Sequence, residues 1–172
     1  NPHNLPLAIG QIVVSIAIFV NFSLISKLIF HWPFMYRMGH VCILVFITMP
    51  YLNVVFHTKN RLWKWYDLLH LIPLFIFLVD YSHVLLMSNA QKMVILKEEV
   101  YNLPLLGQFR QSKYIGPGFH EQFRSVLFSF YWVGQVVLFT KWSKSQKVLT
   151  PKKRIWKLWT LVFLVFQCGM FT

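Results

Sequence analysis

The chain has 172 residues, of which 56% are hydrophobic and 18% aromatic, whereas only 13% are charged. A water-soluble domain of this size usually has about a quarter of its residues charged, so the composition excludes an ordinary soluble domain. The formal net charge of +12 would suggest nucleic-acid binding in a soluble protein. In a membrane protein, basic residues collect on cytoplasmic loops, and this is the interpretation we favour.

Five apolar runs predict the fold, because a helix of about 20 residues crosses the ~30 Å hydrocarbon core of a bilayer. The runs carry charges only at their edges and lack the polar–apolar alternation of membrane β-strands. Pro50 and Pro73 fall inside the second and third runs and should kink them. We expect an all-α, polytopic transmembrane bundle in one domain, with about five spans at residues 6–25, 38–56, 66–87, 125–140 and 155–171.

The basic residues predict how these spans are oriented, because Lys and Arg resist translocation. The side that holds loops 57–65 and 141–154 carries ten of them, whereas the side that holds loop 88–124 carries seven. We therefore expect the first two loops to be cytoplasmic and the third to lie outside. The residues expected to contact anionic lipid head groups are Lys141, Lys144, Lys147, Lys152, Lys153, Arg154 and Lys157.

The outer loop is the longest polar segment of the chain. Met93, Leu96 and Val100 have helical spacing within it and predict a short amphipathic helix that lies along the membrane surface. Glu98 and Glu99 are adjacent rather than convergent, so we expect them to be solvated.

Two candidate pairs of ionisable residues lie in the third run. Asp80 is ~21 Å along the predicted helix from Tyr66, and an ionisable group at membrane depth indicates a functional site by default. With His83 as its local partner, it would form an outward pocket that binds a small ligand or senses protons. The alternative is a paired or protonated Asp80 that only joins helices. Asp67 and His70 form the second pair, which is either pH-responsive or an interfacial hydrogen-bonding site.

The sequence predicts neither a catalytic centre nor a cofactor. Cys42 and Cys168 lie in apolar runs without metal-ligand spacing, and the histidines form no i, i+4 pair on one helix. Metal and haem sites are therefore not expected. A Ser-His-Asp set, a Gly-rich phosphate loop and convergent paired carboxylates are also missing, so we do not expect an enzyme.

The order of three segments resembles a known membrane domain. The first, FHWPFMYRMGHVCILVFITMPYLNVVF, has Pro33 near its outer end and Pro50 before Tyr51. The second, NRLWKWYDLLHLIPLFIFLVDYSHVLLMSNAQKMVIL, contains a basic loop, a Trp-x-Asp-Leu-Leu-His-x-x-Pro helix start and a Ser-x-x-x-Lys turn, and RIWKLWTLVFLVF follows later. This order is similar to the multi-helix membrane domain found ahead of AraC-type DNA-binding domains in Bacteroidetes regulators.

The resemblance implies a sensor and signalling domain of a transcriptional regulator in the bacterial cytoplasmic membrane. The family's first helix, its last helices and its helix-turn-helix reader are absent, so the chain is expected to be truncated at both ends and to bind no nucleic acid itself. Its expected partners are the lipid bilayer and other membrane chains or a second copy. The competing hypothesis is an accessory structural subunit of a larger membrane complex, and a transporter fragment is a third.

Overall fold

Two antiparallel helices form the centre of the fold. The computed structural model describes residues 2–146 and 150–169, and every regular element assigned within these ranges is helical. Helix α1 (Leu5–Ile25) packs along helix α2 (Met38–Thr58). Of the most apolar 18-residue segment in each helical stretch, 78% is buried in the stretch that contains α2, compared with 22% in the stretch that contains α1. α2 is therefore the central helix, and α1 covers one of its sides.

A tight connection links α1 to α2. It contains two short 3-10 turns, Leu28–His31 and Pro33–Met35. Lys27 and Arg37 have φ angles of 63° and 66°, in the left-handed region that non-glycine residues rarely adopt. Arg37 therefore lies at a sharp turn directly before α2.

A series of shorter helices follows α2. A 3-10 helix at Trp65–Leu71 leads into α3 (Ile72–Asp80) and then α4 (Ser82–Leu85). Helix α5 (Asn89–Tyr101) comes next, followed by α6 (Pro104–Gln108). The predicted helix in the outer loop is thus present as α5.

The last two helices complete the packing around α2. Helix α7 (Phe119–Ser145) packs against α2, and α8 (Pro151–Cys168) packs against α7, where the indole Nε1 of Trp132 donates to the Leu164 carbonyl at 3.0 Å. α1 and α2 run in opposite directions, α7 runs parallel to α2, and α8 runs antiparallel to α7. The connection 26–37 and residues 81–118 therefore lie at one end, the loop end, and residues 59–64 lie at the other, the basic end.

The all-α prediction is confirmed, but the number of spans is smaller than expected. Within the described part of the chain, three helical stretches are long and apolar enough to cross a membrane: Pro2–Ile25, Pro33–Thr58 and Phe119–Ser145. They correspond to the first, second and fourth predicted runs, and the fourth is longer at both ends than the predicted 125–140. By length and composition, these helices are compatible with an integral membrane protein.

The third predicted run, 66–87, is not one continuous helix. Pro73 lies in the first turn of α3, where its missing N–H removes no helical hydrogen bond, so it begins a helix instead of kinking one. Pro50 does lie inside α2. The fifth run corresponds to α8, in which Lys152, Lys153 and Arg154 occupy the first turn, and residues 170–171 of that run lie outside the described residues.

The apolar face of α5 packs on the protein rather than along a membrane surface. Leu96 and Val100 are buried in a loop-end core that also contains Tyr36, Phe77 and Tyr81. The helix is present as predicted, but the prediction that its apolar face lies on the membrane surface is wrong, because that face packs against the loop-end core. The residues that pack into this core anchor the 88–124 segment to the helices.

Close packing of α1 on α2 depends on Gly10. A Cβ atom at this position would lie 3.2 Å from Cβ of Met49 and 3.7 Å from Cδ2 of Phe46. We expect Gly10→Val to push the helices apart and to lower the free energy of unfolding by about 1–3 kcal/mol, the usual range for overpacking. Unfolding by sodium dodecyl sulfate in mixed micelles will measure it. Ala8→Val, on the exposed face of α1, is the matched control and should change little.

Candidate functional site

Buried polar residues at the loop end form the most developed candidate site. They join α2 and α3 to the 88–124 segment, and they lie among the aromatic rings of the loop-end core. We call this set the loop-end polar cluster. Its buried members are Tyr36, Arg37, His40, Asp80, Glu99 and His120. Gln111 and Ser112 are partly buried and belong to it through their hydrogen bonds to Glu99 and Asp80.

An ion pair between Arg37 and Glu99 forms one half of the cluster. The Arg37 Nη2 atom lies 2.9 Å from Glu99 Oε1, and the two side chains are 5% and 2% exposed. The Tyr36 hydroxyl donates to Glu99 Oε2 at 2.9 Å, and Gln111 Nε2 donates to Glu99 Oε1 at 3.0 Å. Arg37 Nη1 also donates to the Leu106 carbonyl at 2.7 Å. The turn before α2 is thereby tied both to α5 and to α6.

Asp80 forms the other half of the cluster. Its Oδ1 accepts the backbone N–H groups of Lys113 (3.0 Å) and Tyr114 (2.7 Å). Its Oδ2 accepts the Ser112 hydroxyl at 2.5 Å and lies 2.6 Å from Nε2 of His120. Asp80 therefore fixes the irregular backbone after α6 to the end of α3, and it links both to the first turn of α7.

His40 lies between these two halves. Its ring centroid is 4.5 Å from that of Phe77, 4.7 Å from that of Phe109 and 6.0 Å from that of His120. The side chain is buried, yet neither ring nitrogen has a hydrogen-bond partner among the described residues. A buried polar group in this condition is uncommon in proteins and calls for an explanation.

The two carboxylates of the cluster are held in the same way. Glu99 and Asp80 each have a cationic or potentially cationic partner and also accept hydrogen bonds from neutral donors. Within residues 2–146 and 150–169, no group of three or more His, Cys, Asp or Glu side chains is arranged to hold a metal ion.

The structure places the two predicted pairs differently from the expectation. Asp80 is 1% exposed and pairs with His120, whereas His83 is exposed and its ring centroid lies 6.5 Å from that of Tyr81. The i, i+3 rule applies to a continuous α-helix, and α3 ends at Asp80 before α4 begins, so His83 does not share its face.

Asp67 pairs with Arg61 rather than with His70. Two hydrogen bonds of 2.7 Å join the Arg61 guanidinium to the Asp67 carboxylate, which also accepts the Lys64 backbone N–H at 2.8 Å. These hydrogen bonds raise the pKa of the Arg61 guanidinium. His70 Nδ1 instead lies 2.8 Å from the hydroxyl of Tyr131 on α7. Asp67 and His70 thus serve two separate contacts.

The predicted head-group residues lie at the basic end. Lys141 and Lys144 are exposed near the end of α7, and Lys152, Lys153 and Arg154 are exposed in the first turn of α8, with Lys157 half-buried one turn later. Lys147 lies outside the described residues.

Sequence reasoning missed most of the cluster, although one signal was available. Glu99 lies three residues after Leu96 and seven after Lys92, so the helical period places all three on the same face of α5, and all three are buried. A buried glutamate on an apolar face requires a cationic partner, which Arg37 supplies. Nothing in the sequence indicates that His120, 40 residues away, would be the partner of Asp80.

Comparisons of the chain with protein-family models, with curated proteins and with solved structures found no match.

Proposed function

We propose that this chain is the membrane-embedded sensor domain of a bacterial transcriptional regulator. The observation that supports it is the loop-end polar cluster, in which Arg37–Glu99 and Asp80–His120 hold the 88–124 segment onto the helices. Buried ion pairs are a weak means of stabilising a fold compared with apolar packing, whereas ionisable groups at membrane depth usually serve a function. Such pairs suit an element that is released when a ligand competes for one of its members.

The proposed arrangement in the membrane has about five spans. Three of these are the long apolar helices. The other two are shorter membrane-embedded elements, namely α8 and the broken stretch from Trp65 to Leu85. The basic end faces the cytoplasm and the loop end faces outward. Cations in the first turn of α8 support this orientation, because the helix dipole disfavours them there and anionic lipid head groups would compensate.

The regulator assignment rests on the resemblance to the membrane domain of AraC-type regulators. It requires a DNA-binding helix-turn-helix encoded in frame beyond Thr172, so reading the gene past that codon is the first test. The described residues themselves offer no helix-turn-helix reader.

An accessory structural subunit is the second candidate function. One face of α8 favours it, because a series of large apolar side chains is about half or more exposed there and would suit contact with another chain. These residues are Ile155, Leu158, Trp159, Leu161, Val162, Val165 and Phe166.

A mild change in the cluster separates the two functions. Tyr36→Phe removes the hydroxyl that donates to Glu99 and should weaken the attachment of α5 by about 1 kcal/mol without unfolding the chain. A sensor with this change, expressed from its own locus, should alter several-fold the transcripts that deletion of the gene also alters. Tyr66→Phe, at a more exposed tyrosine, is the matched control and should leave them unchanged.

A different pair of results would support the accessory subunit instead. If Tyr36→Phe and wild type give the same transcripts at equal membrane levels, and the chain purifies with another protein in fixed stoichiometry, the chain is an accessory subunit.

A further inference from the structure

Two adjoining cavities lie between α1, α2 and the start of α7. Their volumes are about 380 and 440 Å³, each within the range of roughly 300–1,000 Å³ typical of small-molecule sites. Asn21, Ile43 and Arg124 line both of them, so the cavities adjoin at these three residues. Along α1 the lining extends from Val14 to Leu24, ~15 Å at 1.5 Å per residue. The combined space is long enough for an extended alkyl chain.

The two ends of this space differ in polarity. Arg37, His40 and Arg124 line the part nearest the loop end, together with Glu121. The part further from the loop end is lined mainly by apolar side chains, and its polar lining residues are Asn21, Arg124 and Ser125. The apolar lining residues are Val14, Ala17, Ile18, Ile43, Phe46, Ile47 and Phe128. An amphiphile matches this division, with its head group among the first set and its chain along the second.

Two residues that line the polar end carry buried hydrogen-bonding atoms that the protein leaves unused. The Nε atom of Arg37 and both ring nitrogens of His40 are buried without a hydrogen-bond partner in the part of the chain that the structure describes. Arg124 makes a loose contact of 3.9 Å with Glu121 and is 31% exposed. Guanidinium donors and a histidine around one space favour a head group that accepts hydrogen bonds, and a carboxylate suits arginine best.

The space also opens sideways. Ile18 and Asn21 line it and are exposed on the outer face of α1. In a membrane this opening faces lipid, so a molecule dissolved in the bilayer has a direct route into the cavities.

We propose that the space between α1, α2 and α7 binds an anionic single-chain amphiphile, with its carboxylate at Arg37, His40 and Arg124 and its alkyl chain along α1. This inference names the class of ligand for the proposed sensor, and its role in signalling rests on that proposed function. Because Arg37 also holds Glu99, and Leu106 and Phe109 of the loop end line the same cavity, a bound head group would act directly on the attachment of α5 and α6.

Photolabelling tests the site on the purified chain in a neutral maltoside detergent. The probe is a palmitic acid analogue with a diazirine in its alkyl chain, and the labelled residues are mapped by mass spectrometry. We expect labels within residues 14–47 and 124–128, with tenfold less labelling in Arg124→Gln than in wild type. Arg110→Gln, which removes an exposed arginine elsewhere at the loop end, is the matched control and should label normally.

Two further variants test the shape and the charge of the site. Ile43→Trp places a large ring where the two cavities meet and should abolish labelling, whereas Val133→Trp on the exposed face of α7 should not. Glu121→Gln removes a negative charge beside the head group and should strengthen labelling several-fold. Weaker labelling in Glu121→Gln would overturn the assignment of an anionic head group.

Competitors identify the source of the amphiphile. Displacement by palmitate but not by phosphatidylglycerol supports a free fatty acid as the ligand, whereas equal displacement by phosphatidylglycerol, which has two chains and a phosphate, would overturn the single-chain carboxylate. Equal displacement by uncharged hexadecanol, or labelling spread over all helices, would overturn the site. The binding result needs no transcriptional readout, so the failure of the site and the failure of the sensor function are distinguishable.

Discussion

Replacing Asp80 with leucine should cause the largest loss of stability of any single substitution at the loop end. The carboxylate accepts two backbone N–H groups and a hydroxyl and faces His120, and leucine satisfies none of them. Breaking a buried pair from one side usually lowers the free energy of unfolding by about 3–5 kcal/mol, because the remaining partners stay buried. Asp80→Asn keeps one oxygen for the backbone donors and should lose less.

Hydrogen exchange and denaturant unfolding will measure the Asp80 variants. Amide exchange at Lys113 and Tyr114 should rise steeply in Asp80→Leu and moderately in Asp80→Asn. Glu98→Gln is the control, because its ion pair with Arg110 is exposed and such pairs contribute about 0–1 kcal/mol. Equal effects of Asp80→Leu and Glu98→Gln would show that the Asp80 contacts do not hold the segment in place.

Glu99→Gln should produce the second large effect, for a different reason. Glutamine keeps a hydrogen-bonding oxygen for Tyr36 but leaves the Arg37 charge buried at 5% side-chain exposure without a counter-charge. We expect the free energy of unfolding to fall by about 3 kcal/mol or more. Arg37→Gln should be comparably harmful, because it leaves the Glu99 carboxylate buried instead.

A double-mutant cycle tests the Glu99 prediction. If the pair acts as a unit, Arg37→Gln with Glu99→Gln should lose much less than the sum of the single losses, with a coupling of about 1–3 kcal/mol. Additive losses would mean that the two residues stabilise the fold independently. The measurement is unfolding in mixed micelles at two ionic strengths, and salt should change the coupling little, since buried pairs are poorly screened.

Much of the secondary structure could be predicted, because apolar runs of about 20 residues have few other solutions in a membrane. α1 and α2 agree with the runs at 6–25 and 38–56 within a few residues. The run at 66–87 shows the limit of this reasoning. Its hydropathy resembles that of a span, but Pro73 begins a new helix and the chain breaks again after Asp80.

The candidate site was only partly predictable, because its pairs are distant in the chain. Asp80 stood out as an acid in an apolar run, and the structure gives it a buried partner, but that partner comes from 40 residues later. The prediction that Glu99 is solvated is wrong, because α5 turns its apolar face inward and Glu99 lies on that face. Sequence spacing identifies pairs within a helix, whereas a packed loop forms its pairs by tertiary contact.

The 3-10 helix at Trp65–Leu71 has a mechanical consequence for α3. A 3-10 helix rises about 2.0 Å per residue and an α-helix about 1.5 Å, so rewinding these seven residues would shorten the stretch by ~3.5 Å. Arg61 and Asp67 anchor its beginning, while Asp80 lies at the far end of the attached helix. A change in winding near the basic end would therefore displace α3 along its axis, and with it the Asp80 carboxylate that binds the 88–124 segment at the loop end.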